Sequence, residues 1–234
     1  MDLQVYINIG LRLVKTWTDD DPKAALMERK RALIVDAALR DFLENGYADG
    51  SVNRIAADAG VSIKTLYRHF ESKEELFSAV MQAACERANQ GSPAESSDIA
   101  APAEPSWFRQ PPAAALPVAG ESYLRHALSD EQLALYRVVT RDAHKFPELG
   151  LRYRQQVTGS RDELFANYLE RWLPQMEWRV TDKRRAAAIF TALLKVELFD
   201  DALQGLRKPT GREIVKRARE AAVQMLTLFE SGKL

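Results

Sequence analysis

The side chains best suited to specific polar recognition lie within residues 51–73. Ser62 is predicted to cap a short helix, which places Ile63, Lys64 and Thr65 in its first turn. A lysine there can donate to the O6 and N7 atoms of guanine, and a threonine can contact a thymine methyl group or a phosphate. Solvation or phosphate binding is the alternative for Lys64, and simple packing is the alternative for Thr65. The pattern predicts a surface that binds double-stranded DNA.

The elements that position these side chains form a helix-turn-helix pattern. Ser51 is predicted to cap a first short helix, Gly60 breaks it, and Ser62 opens the second. In such a motif the first helix braces against the DNA backbone and the second lies in the major groove. A longer preceding helix is predicted to end at residues 45–46, and an S-x-x-E capping box at 72–75 opens a longer following one.

The composite pattern resembles the tetracycline-repressor family of transcription regulators. The resemblance is carried by IVDAALRDFLENGY at 34–47 and SVNRIAADAGVSIKTLYRHFESKEELFSAVM at 51–81, in the family's order and spacing. It covers only the first third of the chain tightly. It implies an all-α fold, with an N-terminal three-helix helix-turn-helix domain and a C-terminal helical bundle that binds a ligand and forms a homodimer.

The resemblance also implies phosphate contacts on both sides of the recognition helix. Lys73 and Ser51 would bind phosphates at helix N-termini, where backbone N–H groups and the helix dipole favour anions. Tyr67 and His69 are similar to family residues on the phosphate side, with packing as the alternative for Tyr67. Flanking candidates complete the predicted DNA-binding set, which is Ser51, Asn53, Arg54, Ser62, Ile63, Lys64, Thr65, Tyr67, Arg68, His69 and Lys73.

Composition argues against several other classes of protein. The formal net charge is +0, so a nucleic-acid role must rest on a local patch. Cys85 is the single cysteine, which excludes an intramolecular disulfide and suits a reducing cytosol. The histidines show no metal-ligand spacing, and no apolar run reaches the roughly 18–20 residues of a membrane span. No phosphate-cradling loop, nucleophile elbow or carboxylate–histidine cluster is present. We therefore expect a cytoplasmic protein that is not an enzyme, with no cofactor, no metal and no membrane partner.

The first 22 residues are predicted to be an N-terminal extension. Apolar residues alternate with polar ones from Val5 to Leu13, which is a strand-like period of two. A disordered or loosely docked arm is one interpretation. True initiation at Met27 is a second, and an arm that touches DNA or the partner subunit is a third. Residues 23–88 form the predicted DNA-binding domain with its connecting helix.

Residues 89–120 are predicted to be a proline-rich loop, because their prolines are spaced too closely for a long helix. Trp107, Phe108 and Leu116 favour docking of part of this loop on the rest of the chain. The loop is interpreted either as a lid over a ligand pocket or as a plain surface connection. The prolines concerned are Pro93, Pro102, Pro105, Pro111, Pro112 and Pro117.

Residues 121–234 are predicted to be the ligand-binding and dimerisation domain. The string LALYRVVTRDAHKFPELG at 133–150 resembles the sensor domains of one branch of the same family. Aromatic and polar residues on its helices are pocket candidates for a small-molecule effector, with ordinary core packing as the alternative. They are Trp107, Tyr123, His126, Tyr136, His144, Phe165, Tyr168 and Trp172.

The last helices are predicted to form the homodimer interface. Apolar stripes with small alanines permit close helix approach, and symmetric dimers are the commonest oligomers. An ordinary intramolecular core is the alternative. The predicted interface residues are Ile189, Leu193, Val196, Ile214, Ala218, Ala221, Ala222, Met225 and Phe229.

These observations together predict an effector-responsive DNA-binding regulator. It is expected to repress transcription by binding a palindromic operator as a dimer, and to be released by a small ligand. The alternative is a ligand-binding protein whose helix-turn-helix no longer reads DNA.

Overall fold

A computed structural model describes residues 22–90, 105–232 and 234, and these residues are almost entirely helical. Two compact units are present. The head comprises the segment that ends at Asn45 together with Asp49–Val80, and the body comprises Gly46–Ala48 and Met81–Leu234. The predicted N-terminal extension lies outside the described residues, except for Pro22. The helices are α1 (Pro22–Asp49), α2 (Val52–Asp58), α3 (Ile63–His69), α4 (Lys73–Gln90), α5 (Pro112–Ala127), α6 (Asp130–Asp142), α7 (Pro147–Tyr153), α8 (Ser160–Trp172), α9 (Lys183–Lys195), α10 (Leu198–Leu203) and α11 (Gly211–Glu230).

The head is built by capping residues that stop and start its helices. Gly46 adopts φ 81° and interrupts the helical run of α1, at the stop that the sequence predicts. The Ser51 side chain accepts from Arg54 N at 3.4 Å, and the Ser62 side chain accepts from Thr65 N at 3.1 Å. Both predicted caps are therefore confirmed. The turn between α2 and α3 needs φ 65° at Gly60, a conformation that glycine adopts without a steric penalty.

The head core is formed by the apolar stripes of its four helices. Phe42 of α1 and Phe77 of α4 meet edge to face, with ring centroids 5.2 Å apart. Ile55 and Leu66 are fully buried, and they hold α2 and α3 against this core. Burial of side chains of this size stabilises a fold by about 1.5–3 kcal/mol each, which fixes the angle between two helices too short to be stable alone.

The body core lies where α5, α9 and α11 pack together. Gly120 on α5 permits the close approach, because a Cβ atom there would lie 2.8 Å from Leu194 Cδ2 and 3.4 Å from Ala218 Cβ. The Gly46–Ala48 segment belongs to this unit, since the backbone N–H groups of Tyr47 and Ala48 donate to a buried Asp142 carboxylate at 2.8 and 3.0 Å.

A proline-rich loop through residue 120 is not what the structure contains. A short 3-10 turn spans Ser106–Arg109, and α5 begins at Pro112. Proline is compatible with the first helical position, because the N–H that it lacks would have no partner there. Pro117 lies inside α5 and removes one backbone donor, which the burial of this helix outweighs. The loop prediction is thus wrong for residues 112–120, residues 89–90 end α4, and residues 91–104 lie outside the described residues.

The connection from α7 to α8 is a single wide turn rather than a loop. Residues Arg154–Gly159 form a single π-helical turn, the π-turn, which joins the two helices without a break. Such turns contain one extra residue and occur frequently at functional sites. A second irregularity is the junction of α9 and α10, where Glu197 has φ 60° although it carries a side chain.

Candidate functional sites

The exposed face of α3 carries several of the predicted DNA-binding residues. Lys64 and Arg68 are exposed, as is half of the Tyr67 side chain. On the opposite face Leu66 and Phe70 are buried in the head core. Helical spacing therefore places the buried side chains that anchor α3 on one face and its hydrogen-bond donors on the other. The donors are available to a partner. Ile63 is also exposed, in the first turn.

Two serine hydroxyls at this surface are already engaged as caps. Ser62 Oγ lies 2.9 Å from Thr65 Oγ1, so these two side chains form one small polar unit at the start of α3. Ser51 Oγ accepts from Arg54 N, as described above. A hydroxyl that accepts from a backbone N–H still has its own hydrogen to donate, so a phosphate contact remains open to Ser51.

Asp41 is a buried carboxylate that orients α2, and the sequence analysis missed it. It accepts from Ser51 N at 2.8 Å and from Arg54 Nε at 2.7 Å. Arg54 also donates to Asp49 O at 2.9 Å, so this predicted DNA contact is held within the head itself. The available signal was an acid between Ala38 and Phe42, on a stripe that is otherwise apolar.

His69 is held neutral inside the head. Its Nε2 atom is buried and has no hydrogen-bond partner within the residues that the structure describes. Burial, together with the neighbouring Arg68 and Arg31 cations, lowers the pKa of His69. This shift favours the neutral imidazole in the protein without DNA. Lys73, the first residue of α4, is half-buried.

The body contains a small, largely enclosed cavity, to which the helices α5 to α10 and the π-turn between α7 and α8 all contribute residues. Its volume is about 20 Å³, enough for one water molecule. Tyr123 and Tyr136, two of the predicted pocket residues, line it. Seven further lining residues were not predicted, namely Ala127, Gln132, Tyr153, Thr158, Arg161, Lys195 and Phe199.

Two cationic side chains of this cavity, Arg161 and Lys195, make cation–π contacts with aromatic rings. The Arg161 guanidinium carbon lies 5.1 Å from the centroid of the Tyr123 ring. The Lys195 Nζ atom lies 4.3 Å from the Phe199 centroid and 5.7 Å from that of Tyr136. Burial and the nearby Arg161 charge lower the pKa of Lys195. A sequence signal for Arg161 did exist, because it lies four and seven residues before two aromatic members of the buried stripe on α8.

His126, another predicted pocket residue, lies close enough to Arg161 to interact with its charge. Its buried Nδ1 atom has no partner among the described residues. Burial and the Arg161 charge lower the pKa of His126 to about 4, so it is neutral at physiological pH. It is absent from the set of residues that line the cavity.

The other predicted pocket residues lie elsewhere. Trp107, Phe165 and Tyr168 are buried in an aromatic core, where the Tyr168 hydroxyl donates to Gln110 O at 2.9 Å. Trp172 packs against the same core. For these four the alternative of ordinary core packing describes the structure. The assignment of His144 to a pocket is wrong, because its side chain is exposed after the end of α6.

The predicted dimer residues on α11 require a correction. All six are buried inside the single chain, against α5 and α9. A side chain that its own chain already removes from water has no surface left for a partner. The six residues are Ile214, Ala218, Ala221, Ala222, Met225 and Phe229. Ile189 and Leu193 are only partly buried on α9, and Val196 is exposed just after it. On the outer side of α11, Val223 is 64% exposed.

No helix in the described ranges is both long and apolar enough to cross a membrane. Within the same ranges no group of three His, Cys, Asp or Glu side chains could hold a metal ion.

Comparison with protein families matches both units of the chain. Residues 34–80 match the family described as bacterial regulatory proteins, tetR family. Residues 114–228 match the family described as AefR-like transcriptional repressor, C-terminal domain. The second match lies wholly in the body and contains the whole cavity lining.

Curated relatives match a short stretch of the chain. The HTH-type transcriptional regulator SrpR of Pseudomonas putida is 41% identical over 58 residues, which are 25% of this chain and 27% of that protein. The HTH-type transcriptional activator FasR of Mycolicibacterium smegmatis is 42% identical over 55 residues, which are 24% of this chain and 25% of that protein. The chain thus aligns with about a quarter of the length of these relatives.

A solved structure matches most of the chain. It is described as the flavonoid-responsive regulator FrrA, is 27% identical, and covers 86% of this chain and 96% of its own, with a TM-score of 0.69. This structural similarity covers 86% of the chain, whereas the two curated relatives align with about a quarter of it.

Proposed function

Because the chain belongs to the TetR family of bacterial regulatory proteins, we propose that it binds a palindromic DNA operator as a homodimer and releases it when a small ligand binds the body. The observation that carries the proposal is the α3 surface. Exposed donors on one face of this helix are backed by buried anchors on the other, at the position of a recognition helix.

In this proposal the residues of the helix-turn-helix divide into two roles. Lys64 and Thr65, in the first turn of α3, contact base edges, because residues at the start of a recognition helix lie deepest in the major groove. Ser51, Tyr67 and Lys73 bind phosphates on either side, and so set the register of the helix. Phosphate contacts give affinity that depends on salt, whereas the base contacts give sequence preference.

A dimer is part of the proposal because α3, the recognition helix of one head, carries two exposed Lys/Arg side chains, Lys64 and Arg68. Two linked heads on one duplex bind far more tightly than either alone. They would enter successive major grooves about 34–36 Å apart. The exposed Val196 and Val223 are candidates for the partner contact, since side chains already buried in the chain cannot contribute.

Ligand release follows from a shift between two populations. A ligand that binds better to a state with wrongly spaced heads draws the protein away from DNA. The helix α4 joins the head to the body, so it is the element through which such a shift would pass. Repression is the proposed outcome, in line with the repressor family that the body matches, although one curated relative over 24% of the chain is an activator. The flavonoid-responsive regulator supports an aromatic effector.

The direct test is fluorescence anisotropy with the DNA that flanks the gene, at two salt concentrations. We expect salt-sensitive binding of one inverted repeat. Lys64→Ala should lower affinity and relax sequence preference, whereas Lys73→Ala should lower affinity for all sequences and reduce the salt slope by about one. Lys208→Ala is the matched control, because this exposed lysine of the body pairs with Asp130 at 2.8 Å.

Failure of the proposal would be equally clear. If no flanking fragment binds better than random DNA, and selection from sheared genomic DNA recovers no preferred site, the chain is not a sequence-specific regulator. The alternative of a ligand-binding protein with an inactive helix-turn-helix would then stand.

A further inference from the structure

The cavity of the body combines positive charge with aromatic walls. Its nine lining residues include two cations, Arg161 and Lys195, but no carboxylate. Four of the others carry aromatic rings, three of them tyrosines. Like charges that are brought together away from water repel one another and lose hydration. The fold therefore maintains an unfavourable concentration of positive charge at this point.

The present contacts of the two cations are weaker than an ion pair. Arg161 Nε donates to Val157 O at 2.8 Å, a backbone oxygen of the π-turn, and its guanidinium rests on the Tyr123 ring. Lys195 rests on the Phe199 ring. Within the described ranges neither side chain forms a salt bridge. Cation–π contacts hold such charges in place while leaving their capacity for a carboxylate unused.

The acids that interact with these cations form no salt bridge with them in the described ranges. Asp162, the next residue on α8, interacts electrostatically with both Arg161 and Lys195, and Asp200 of α10 interacts with Lys195. Neither acid lines the cavity. The lining thus keeps a net positive charge.

We propose that the effector is an aromatic carboxylate, with its anionic group between Arg161 and Lys195 and its ring among the tyrosines of the cavity. The proposal rests on the proposed function, since it names the chemical class of the ligand that the body senses. An arginine can hold both carboxylate oxygens through paired N–H groups, and a lysine adds a point charge. A neutral ligand would leave both cations buried without an anion.

The walls favour a ring over an aliphatic chain. Tyr136 meets Tyr153 and Phe199 edge to face, at centroid distances of 5.6 and 5.3 Å. An inserted ring can take up the same geometry with several of these side chains at once, and such pairs add about 0.5–1.5 kcal/mol beyond area burial. Because the cavity holds only one water in its present form, entry requires these side chains to turn aside.

The test uses matched pairs of small molecules that differ in charge and little in shape. Benzoate, trans-cinnamate and 2-naphthoate are titrated into the purified full-length chain by calorimetry, each beside its neutral amide. We expect at least one acid to bind with a Kd below about 1 mM and about tenfold more tightly than its amide. If no acid is preferred over its amide, or if no acid binds in that range, the ligand class is wrong.

Variants then locate the preference. Arg161→Gln and Lys195→Met should each bring acid and amide to similar affinity, whereas Lys195→Arg keeps the charge and should retain the preference. Arg125→Gln and Lys208→Met are matched controls, because these side chains are 54% and 74% exposed and do not line the cavity. Circular dichroism checks folding. If Arg161→Gln unfolds, the Met and Arg variants of Lys195 still decide, and if Lys195→Met unfolds, Arg161→Gln decides. An acid preference that survives in either folded variant refutes the assignment.

The two proposals fail in different ways. Operator binding by the same preparation, without any preference for acids, would refute the ligand class and leave the regulator intact. Acid binding that depends on Arg161 in a protein that recognises no DNA site would refute the regulator and leave the ligand class intact.

Discussion

The substitution Asp41→Asn should loosen the helix-turn-helix from within. Asp41 accepts hydrogen bonds from Ser51 N and from Arg54 Nε, one on each carboxylate oxygen. An amide presents one oxygen and one NH₂ group, so one of these two donors must face another donor. A buried donor left without an acceptor costs about 1–3 kcal/mol.

The expected loss is about 2 kcal/mol in the free energy of unfolding of the head. The Arg54 share is small, because this side chain is 54% exposed and its charge is screened by solvent. Either orientation of the amide leaves a part-buried donor unmatched. Its NH₂ group faces Ser51 N, or it faces Asn45 Nδ2, which donates at 3.3 Å to the same Asp41 oxygen as Arg54. Operator binding should weaken as well, since Ser51 is a proposed phosphate contact.

Urea titration followed by circular dichroism, with hydrogen exchange of residues 34–70, measures this effect. The matched control is Asp58→Asn, which breaks a 2.7 Å ion pair with Arg40 in which both side chains are more than half exposed. Exposed pairs contribute about 0–1 kcal/mol, so the control should change stability little. If Asp41→Asn destabilises the head no more than Asp58→Asn, the buried carboxylate does not hold α2 in place and the reasoning is refuted.

Three further predictions concern the body. Gly120→Ala should lower the thermal unfolding temperature. Its Cβ would lie 2.8 Å from Leu194 Cδ2 and 3.4 Å from both Ala218 Cβ and Phe190 Cζ, and Leu194 is itself buried, so overpacking at about 1–3 kcal/mol exceeds the roughly 1 kcal/mol gained in helix propensity. An unchanged or higher temperature would mean that Leu194 turns aside without cost. Tyr168→Phe should destabilise by about 1 kcal/mol in urea titration, since it removes the donor to Gln110 O, and a neutral result would mean that this bond contributes nothing. The folded pKa of His126, about 4, lies below its ordinary value of 6.5, so the unfolded chain takes up a proton first and stability should fall as the pH drops through this interval. His126→Gln should reduce that loss, and identical pH profiles for both proteins would refute the buried neutral state.

Local signals in the sequence were sufficient for the head. Ser51 and Ser62 are capping residues, and their effect depends only on the next three residues of the chain. Gly46 and Gly60 mark stops for a similarly local reason, because both need a positive φ. Asp41 was missed since its role depends on groups 10 and 13 residues away, which no local pattern reveals.

The body was less predictable because its signals depend on neighbours in space. The helix propensities of Pro112 and Pro117 predict a loop. In the structure the burial of α5 outweighs the loss of one backbone N–H donor. An apolar stripe such as Ile214 to Met225 shows that a face is buried, but not whether its own chain or a partner covers it. Arg161 and Lys195 have the side chains of an ordinary solvated surface, and only the packing of α8 and α9 brings them together.

The π-turn at Arg154–Gly159 acts as a one-residue insertion that the helix has absorbed rather than expelled as a loop. Each residue advances a regular helix by about 100°, so deleting one residue here would rotate all of α8 by roughly a quarter turn relative to α7. Arg161 would leave the interior and a different side chain would take its place. Descendants of this chain could thus exchange the whole inward-facing set of α8 through a single codon gained or lost, without altering any residue of that helix.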